Sequence, residues 1–279
     1  HRIKGTTQVV GIFGNPIHHT ASPKLHNSLY SKLNLDFVYI PLLVDPNQIE
    51  TAVLSIKATS MRGVNVTVPF KEAVIPFLDD LDPLAEQVGA VNTIINSSGR
   101  LIGYNTDVEG FCMGIFEEWS LSLNGLSCVV LGAGGAAKAI CYGLLKEGIG
   151  SLSIANRSLS RAESLGSSLS SFSIPIQTYD LEDSSLTEEL GSADIIINAT
   201  SVGLNENDCP LQSMSWVRPE QYVCDIIYEP RETRFLSLSK DKGAKIMNGI
   251  PMLAGQACLA FSYFTGKNIP YTILKKELG

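Results

Sequence analysis

No apolar run in the 279 residues is long enough to cross a bilayer as a helix, so membrane insertion is not expected. Cysteine is sparse and unpatterned. Cys112, Cys128, Cys141, Cys209, Cys224 and Cys258 form no CxxC pair and have no nearby histidine at zinc-ligand spacing. They are expected to be reduced core thiols, and no metal is expected. Positive charge is not in excess either: a formal net charge of -7 argues against a broad nucleic-acid footprint, although a local basic pocket could still hold a small anion. The N-terminal HRIKGTTQVVG has neither an initiating Met nor the apolar core of a signal peptide. It is read as a trimmed end of a cytoplasmic protein. What remains is an ordinary composition, 44% hydrophobic and 18% charged, in a chain long enough for two medium domains. A small molecule is the expected partner, and a homodimer is left open.

Strand-like runs alternate with helical patterns: TQVVGIFG, FVYIPLLV and GVNVTV, then SCVVLGA, SLSIANR, DIIINAT and YVCDII. This alternation predicts an α/β protein of two domains with parallel or mixed sheets covered by helices. Between the two sets, GAVNTIINSSGRLIGYNTD predicts a hairpin turning at Ser-Ser-Gly-Arg. Apolar spacing in GIPMLAGQACLAFSYFTG and TILKKELG predicts helices that return to the first unit. No internal repeat is present, and the Ser-rich SLGSSLSSFS carries apolar residues at helical intervals, which predicts a solvated helix face.

The segment VVLGAGGAAKAI sets Gly132, Ala133, Gly134, Gly135 and Ala136 between a strand and a helix. Gly132 permits the tight turn, Gly134 lets a pyrophosphate approach the backbone, and Ala137 keeps the helix close to the strand. After the next strand, where an NAD-selecting site would carry an acid, the chain offers Asn156-Arg157-Ser158 and Arg161 one turn later. Two guanidinium groups suit a ribose 2'-phosphate, which points to NADP. Asn198, Thr200 and Ser201 in NATSVG fall at a strand's C-terminal edge, as either cofactor contacts or caps of a polar loop.

In GNPIHHTASPKLHN, Ser22 and Pro23 read as an N-cap and a first helical residue, and Thr20 and Ser22 place hydroxyls at the end of the first strand. His18, His19 and His26 read as surface or hydrogen-bonded structural histidines. In GVNVTVPFKEAV the strand breaks at Pro69 and a helix is expected beyond it, with Asn65, Thr67 and Lys71 at one mouth. Asn92, Asn105 and Asp107 lie at turns. Alone, Asp107 would cap the helix that follows. Beside Lys71 it would instead orient an amine that relays a proton to a substrate oxygen.

Taken in order, GNPIHHTASPKLHN, GVNVTVPFK, GAVNT, GYNTD, GAGGAA, NRS, NATSVG, DIIYEP..T and GIPMLAGQA resemble the signatures of the shikimate dehydrogenase family from about residue 9 to the last helix. The resemblance implies a substrate domain of residues 1–106 completed by 251–279, an NADP-binding Rossmann domain of residues 107–250, and an active site in the cleft between them. It implies that Lys71 and Asp107 are catalytic and that Thr20 and Ser22 hold a carboxylate. Asn65, Thr67, Asn92, Asp107 and Gln256 would hold or read the ring and its hydroxyls, with Tyr228 near the carboxylate. Gly249 and Met252 would adjoin the nicotinamide. Shikimate and 3-dehydroshikimate are the implied substrates, with quinate and a non-catalytic shikimate-sensing role as alternatives. One position departs: the family most often has Ser where this chain has Thr20.

Overall fold

The computed structural model describes residues 3–205 and 207–279; His1 and Arg2, the first two residues of the end read as trimmed, lie outside the described residues. The chain divides into two compact units, residues up to Gly110 with Ala254–Gly279, and Phe111–Leu253.

The first unit is built on a six-stranded mixed sheet. Its strands are β1 (Gln8–Gly14), β2 (Phe37–Leu43), β3 (Gly63–Val66), β4 (Asp80–Leu81), β5 (Thr93–Ser97) and β6 (Arg100–Tyr104), in the order β2-β1-β3-β5-β6-β4. β1 runs parallel to both β2 and β3, whereas β5 is antiparallel to β3 and β6. The β5–β6 pair is the expected hairpin, turning at Ser98-Gly99 with positive φ at both residues. Helices α1 (Ser22–Lys32), α2 (Ile49–Ala58) and α3 (Pro83–Val88) follow strands of this sheet, and α10 (Tyr271–Leu278) returns to α1. Lys32 and Ser28 both engage Glu277 there.

The second unit is a parallel six-stranded sheet of β7 (Ser127–Leu131), β8 (Ser151–Asn156), β9 (Ile176–Asp180), β10 (Ile195–Asn198), β11 (Tyr222–Asp225) and β12 (Lys245–Met247), in the order β12-β11-β10-β7-β8-β9. Its order reverses at β7, so the space beyond the carboxyl ends of β7 and β10 is the switch point where doubly wound sheets bind ligands. α5 (Gly135–Lys146), α6 (Leu159–Ser168), α7 (Leu186–Ser192) and α8 (Arg234–Asp241) connect the strands. Apolar clusters lie on both faces, one around Val130, Ile140 and Ile197 and the other around Leu131, Ile196 and Phe235. The near-continuous apolar character of β7 and β10 follows from this double burial.

Two helices belong to both stretches of sequence: α4 (Asp107–Trp119) and α9 (Ile250–Thr265). Four details depart from the sequence pattern. No α-helix follows Pro69; turns and a single 3-10 turn at Ile75–Phe77 do. Ser22 is the first residue of α1, with Ala21 at the cap and Ser22 making no capping bond. The Ser-rich run is helical only to Ser168, and its remainder turns toward β9. Strands β4, β9 and β12 were not marked by the pattern. All three are sheet edges, and two are only two or three residues long, so little alternation can register.

Candidate active site

In the first unit, β1 and β3 deliver their C-terminal ends side by side, with Phe13 opposite Val66 in the register. Thr67 follows directly, its amide bonded to the Phe13 carbonyl at 2.9 Å. Lys71 comes four residues on, and its backbone is pinned because its carbonyl accepts from the Val91 N–H at 2.7 Å. The ammonium of Lys71 donates to Oδ2 of Asp107 at 2.6 Å, with the two side chains 14% and 6% exposed.

Asp107 is free for that contact because it does not cap α4. Asn105 does: its Oδ1 accepts from the N–H groups of Asp107 at 3.0 Å and Val108 at 3.3 Å, and its Nδ2 donates to the Ala90 carbonyl. The capping role that an isolated aspartate would suggest is thus displaced by two residues. The carboxylate stands in the first turn of α4, where the helix dipole favours negative charge.

Thr20 and Ser22 lie at the end of the β1–α1 connection, the Ser22 N–H reaching Thr20 Oγ1 at 3.3 Å. Ser22 is buried and its hydroxyl lies beside the Tyr39 phenol. Asn65 and Asn92 are also buried, and their amides are engaged inside the protein. Tyr39 donates its hydroxyl to Asn65 Oδ1 at 2.7 Å, while Asn65 Nδ2 donates to the Asn92 carbonyl and to Thr93 Oγ1. Asn92 Nδ2 donates to Thr106 Oγ1 at 2.9 Å, and Asn92 Oδ1 accepts from the Thr106 N–H at 2.8 Å. These two asparagines therefore build the wall that carries Thr67, Asp107 and Lys71. Gln256, half-buried on α9, packs its backbone against Gly110, one helical turn after Asp107.

His26 is neither a surface residue nor a hydrogen-bonded one. It stacks on Tyr39 at 4.5 Å between ring centroids, and its Nδ1 is buried with no partner among the described residues. Burial pushes its pKa down to about 3, so it stays neutral.

In the second unit, β7 ends at Leu131 and Gly132 turns the chain with φ +115°. A Cβ there would sit 3.1 Å from both the Ala199 carbonyl and the Thr200 methyl, so the turn requires glycine. Ala133 follows, and Gly134 caps α5 without any side-chain bond. Nothing would lie within 4 Å of a Cβ on Gly134. Uncapped N–H groups of a twelve-residue helix therefore face open space, which fits a pyrophosphate. Gly135 and Ala136 open that helix, and Ala137 is fully buried against the sheet. Beyond β8, Asn156 Nδ2 donates to the Ser158 carbonyl at 2.9 Å. Arg157 and Arg161 are exposed, and neither makes a salt bridge among the described residues. This donor set fits a phosphorylated dinucleotide.

The NATSVG loop is held from behind. Asn198 is 0% exposed, so the side chain has no surface to offer a ligand and acts through its neighbours. Its Oδ1 accepts from the Thr200 N–H and hydroxyl, while Ser201 is exposed. Tyr228 is half-buried on the loop after β11; Gly249 precedes α9 and Met252 packs into its first turn. The sequence pattern missed Asp225, which is 0% exposed and accepts from Asn198, Ile227 and Thr233. Its partners lie 27, two and eight residues away, so no local spacing marks it. Desolvation raises its pKa to about 6 against the lowering by those three bonds.

Residues 12–94 match the family described as shikimate dehydrogenase substrate binding domain, and residues 115–206 match that described as shikimate / quinate 5-dehydrogenase. The shikimate dehydrogenase (NADP(+)) of Carboxydothermus hydrogenoformans is 40% identical over 280 residues, covering 100% of this chain and 99% of that protein. The chain belongs to the shikimate dehydrogenase family. Solved structures of shikimate dehydrogenases share its fold throughout. The shikimate 5-dehydrogenase of Listeria monocytogenes, in complex with shikimate and NAD, superposes with a TM-score of 0.90 at 36% identity, covering 100% and 99% of the two chains. That of Thermus thermophilus, in complex with NADP(H) and shikimate, gives 0.86 at 32% identity, covering 98% of each. No helix among the described residues is long and apolar enough to cross a membrane.

Proposed function

We propose that the chain catalyses the reversible NADPH-dependent reduction of 3-dehydroshikimate to shikimate, with Lys71 and Asp107 as its catalytic residues. The observation that carries this reading is the part-buried Lys71–Asp107 pair beyond the end of β3, in a family whose members act on shikimate. The first unit holds the substrate: Thr20 and Ser22 take its carboxylate, and Thr67, Asp107 and Gln256 take its ring hydroxyls. Asn65 and Asn92 fix the wall behind them and, with the amide positions left unused inside the protein, also hold the ring. The second unit holds NADP, with the start of α5 at the pyrophosphate and Arg157 and Arg161 at the 2'-phosphate. When bound, NADPH supplies the hydride that reaches the carbonyl carbon.

Lys71 Nζ supplies the proton to the carbonyl oxygen as the C=O double bond becomes C–OH, and recovers it from that hydroxyl in the reverse direction. Asp107 limits where the ammonium can point, so the proton is held on the side of the substrate oxygen. Tyr228 contributes to the carboxylate end, and Gly249 and Met252 border the nicotinamide. We further assign the work to the cytoplasm.

Thr20 bears on ring choice. Quinate carries a tetrahedral carbon with an added hydroxyl beside the carboxylate, where shikimate is planar, and the stiff Thr20 methyl stands at the carboxylate end. A methyl-sized difference is worth about 1–3 kcal/mol, so Thr20 favours shikimate by roughly tenfold or more without excluding quinate. Steady-state kinetics on shikimate and quinate, each with NADP and NAD, test the whole reading. The expected result is highest kcat/KM for shikimate with NADP, and a gain confined to quinate in Thr20→Ser. Absence of hydride transfer with every pair would sink the enzyme reading.

A further inference from the structure

A carboxylate buried at the end of β11 has to be justified by what it holds. Asp225 loses its hydration entirely, and such a loss costs free energy unless donors converge on it. Three do. Asn198 Nδ2 at 3.1 Å and the Ile227 N–H at 3.0 Å share Oδ1, and Thr233 Oγ1 donates to Oδ2 at 2.8 Å. The donors come from three separate segments: the end of β10, the loop after β11, and the residue whose side chain caps α8.

The contacts continue outward from there. Asn198 spends its Oδ1 on the Thr200 N–H at 3.1 Å and hydroxyl at 2.7 Å, and its Nδ2 also reaches the Val202 carbonyl at 3.0 Å. Thr200 Oγ1 in turn accepts from the Val202 N–H at 3.1 Å. One carboxylate therefore fixes the turn at 199–203 through Asn198, and the first residue of the turn that carries Tyr228 through Ile227. For fold stability alone, a carboxylate is a poor choice at this spot, because an amide of the same shape would avoid the desolvation that shifts the group. An amide has only one acceptor oxygen, however. It would turn its NH2 either toward Asn198 and Ile227, losing both of those ties, or toward the Thr233 hydroxyl, reversing that one.

The geometry points to Asp225 as a positioning residue that holds the Thr200–Ser201 turn in the form that binds NADP and ties it to the segment before Tyr228, without touching the ligand itself. The assignment rests on the cofactor reading above. It explains why Asn198, which resembles a cofactor contact in sequence, faces inward: it transmits the constraint to Thr200.

Asp225→Asn tests this by three measurements at pH 7.5: thermal unfolding, hydrogen exchange of the ligand-free protein, and NADP binding by calorimetry. The expected variant melts at or above the temperature of the parent, exchanges faster only at 199–203 and 227–228, and binds NADP roughly tenfold more weakly, the worth of one lost charge-assisted bond. Its kcat at saturating NADP stays within about threefold of the parent, since no reacting group is moved. Unchanged exchange and unchanged NADP affinity would overturn the assignment. So would a weaker affinity accompanied by a lower melting temperature and faster exchange throughout the second unit, which is the pattern of a merely structural residue. A parent protein that does not bind NADP would overturn the cofactor reading, and this assignment with it; a parent that binds NADP beside an indifferent variant overturns this assignment alone.

Discussion

Lys71 is useful only because its backbone and its ammonium are fixed by different partners, Val91 and Asp107. Replacing it with Ala leaves the wall around it intact and removes the group proposed to carry the proton. Lys71→Ala is expected to lower kcat roughly 100- to 10,000-fold, with a far smaller change in shikimate dissociation constant, as read by steady-state kinetics and a binding titration. Arg157 is assigned a different task in the proposed function, the choice of cofactor. Arg157→Ala is expected to weaken NADP binding about ten- to a hundredfold while NAD changes little, measured by titrating both cofactors. An equal loss for both would mean the arginine serves the fold or the shared pyrophosphate. His26 contributes to acid sensitivity. Its folded pKa is about 3, well below its ordinary 6.5, so below pH 6.5 the unfolded chain binds a proton that the folded one does not. Stability therefore falls as pH drops from 6.5 toward 3, by about 1.4 kcal/mol per unit from this group. His26→Phe keeps the ring stack on Tyr39 and removes both the titration and the unpartnered Nδ1. Chemical denaturation at pH 7 and pH 5 should show a smaller loss in the variant than in the parent.

At the scale of elements, the contact that matters most to the substrate wall is the crossing of α4 and α9 at glycines. A Cβ on Gly110 would lie 2.4 Å from the Gln256 nitrogen, and one on Gly255 would lie 2.3 Å from the Gly110 carbonyl. No side chain fits between the helices there, and Gln256 is brought within one turn of Asp107 as a result. Gly110→Ala gains about 1 kcal/mol of intrinsic helix propensity but forces the helices apart, and overpacking of this kind costs about 1–3 kcal/mol. The expected result is a lower melting temperature together with a raised KM for shikimate and little change in NADP affinity. Arg62 secures the far end of α9, donating to the Phe264, Tyr263 and Asn96 carbonyls, so the displacement would concentrate near Gln256.

For the whole molecule, the two units differ in how they are made. The second is one continuous stretch, Phe111–Leu253, with its own apolar clusters on both faces of a parallel sheet. The first is discontinuous. His26 and Tyr30 on α1 stack with Phe261 on α9, and α1 meets α10, so residues up to 110 lack part of their core without the C-terminal helices. Expressed alone, residues 111–253 are expected to unfold cooperatively and to bind NADP, whereas residues 1–110 are expected to show no cooperative melting by circular dichroism. A fragment 1–110 that melts like a folded domain would show that the aromatic layer from α9 is dispensable.

The local signals were strong where chemistry is written in neighbouring residues. Gly132 and Gly134 at a strand–helix junction, the arginines after the next strand, the Ser-Ser-Gly-Arg turn and the alternation of strand and helix are set by backbone conformation and by periodicity, which act over a few residues. Family likeness, too, was carried by short motifs in a fixed order. Tertiary structure decided what those motifs do to one another. Only folding brings Lys71 to Asp107 across 36 residues, and only the cap supplied by Asn105 frees that carboxylate. Folding also buried Asn65, Asn92 and Asn198 and gave each amide partners from distant segments, and it buried Asp225 among donors from three segments. A hydrogen bond between residues far apart in sequence leaves no period or spacing, so its existence is a property of the packed chain alone.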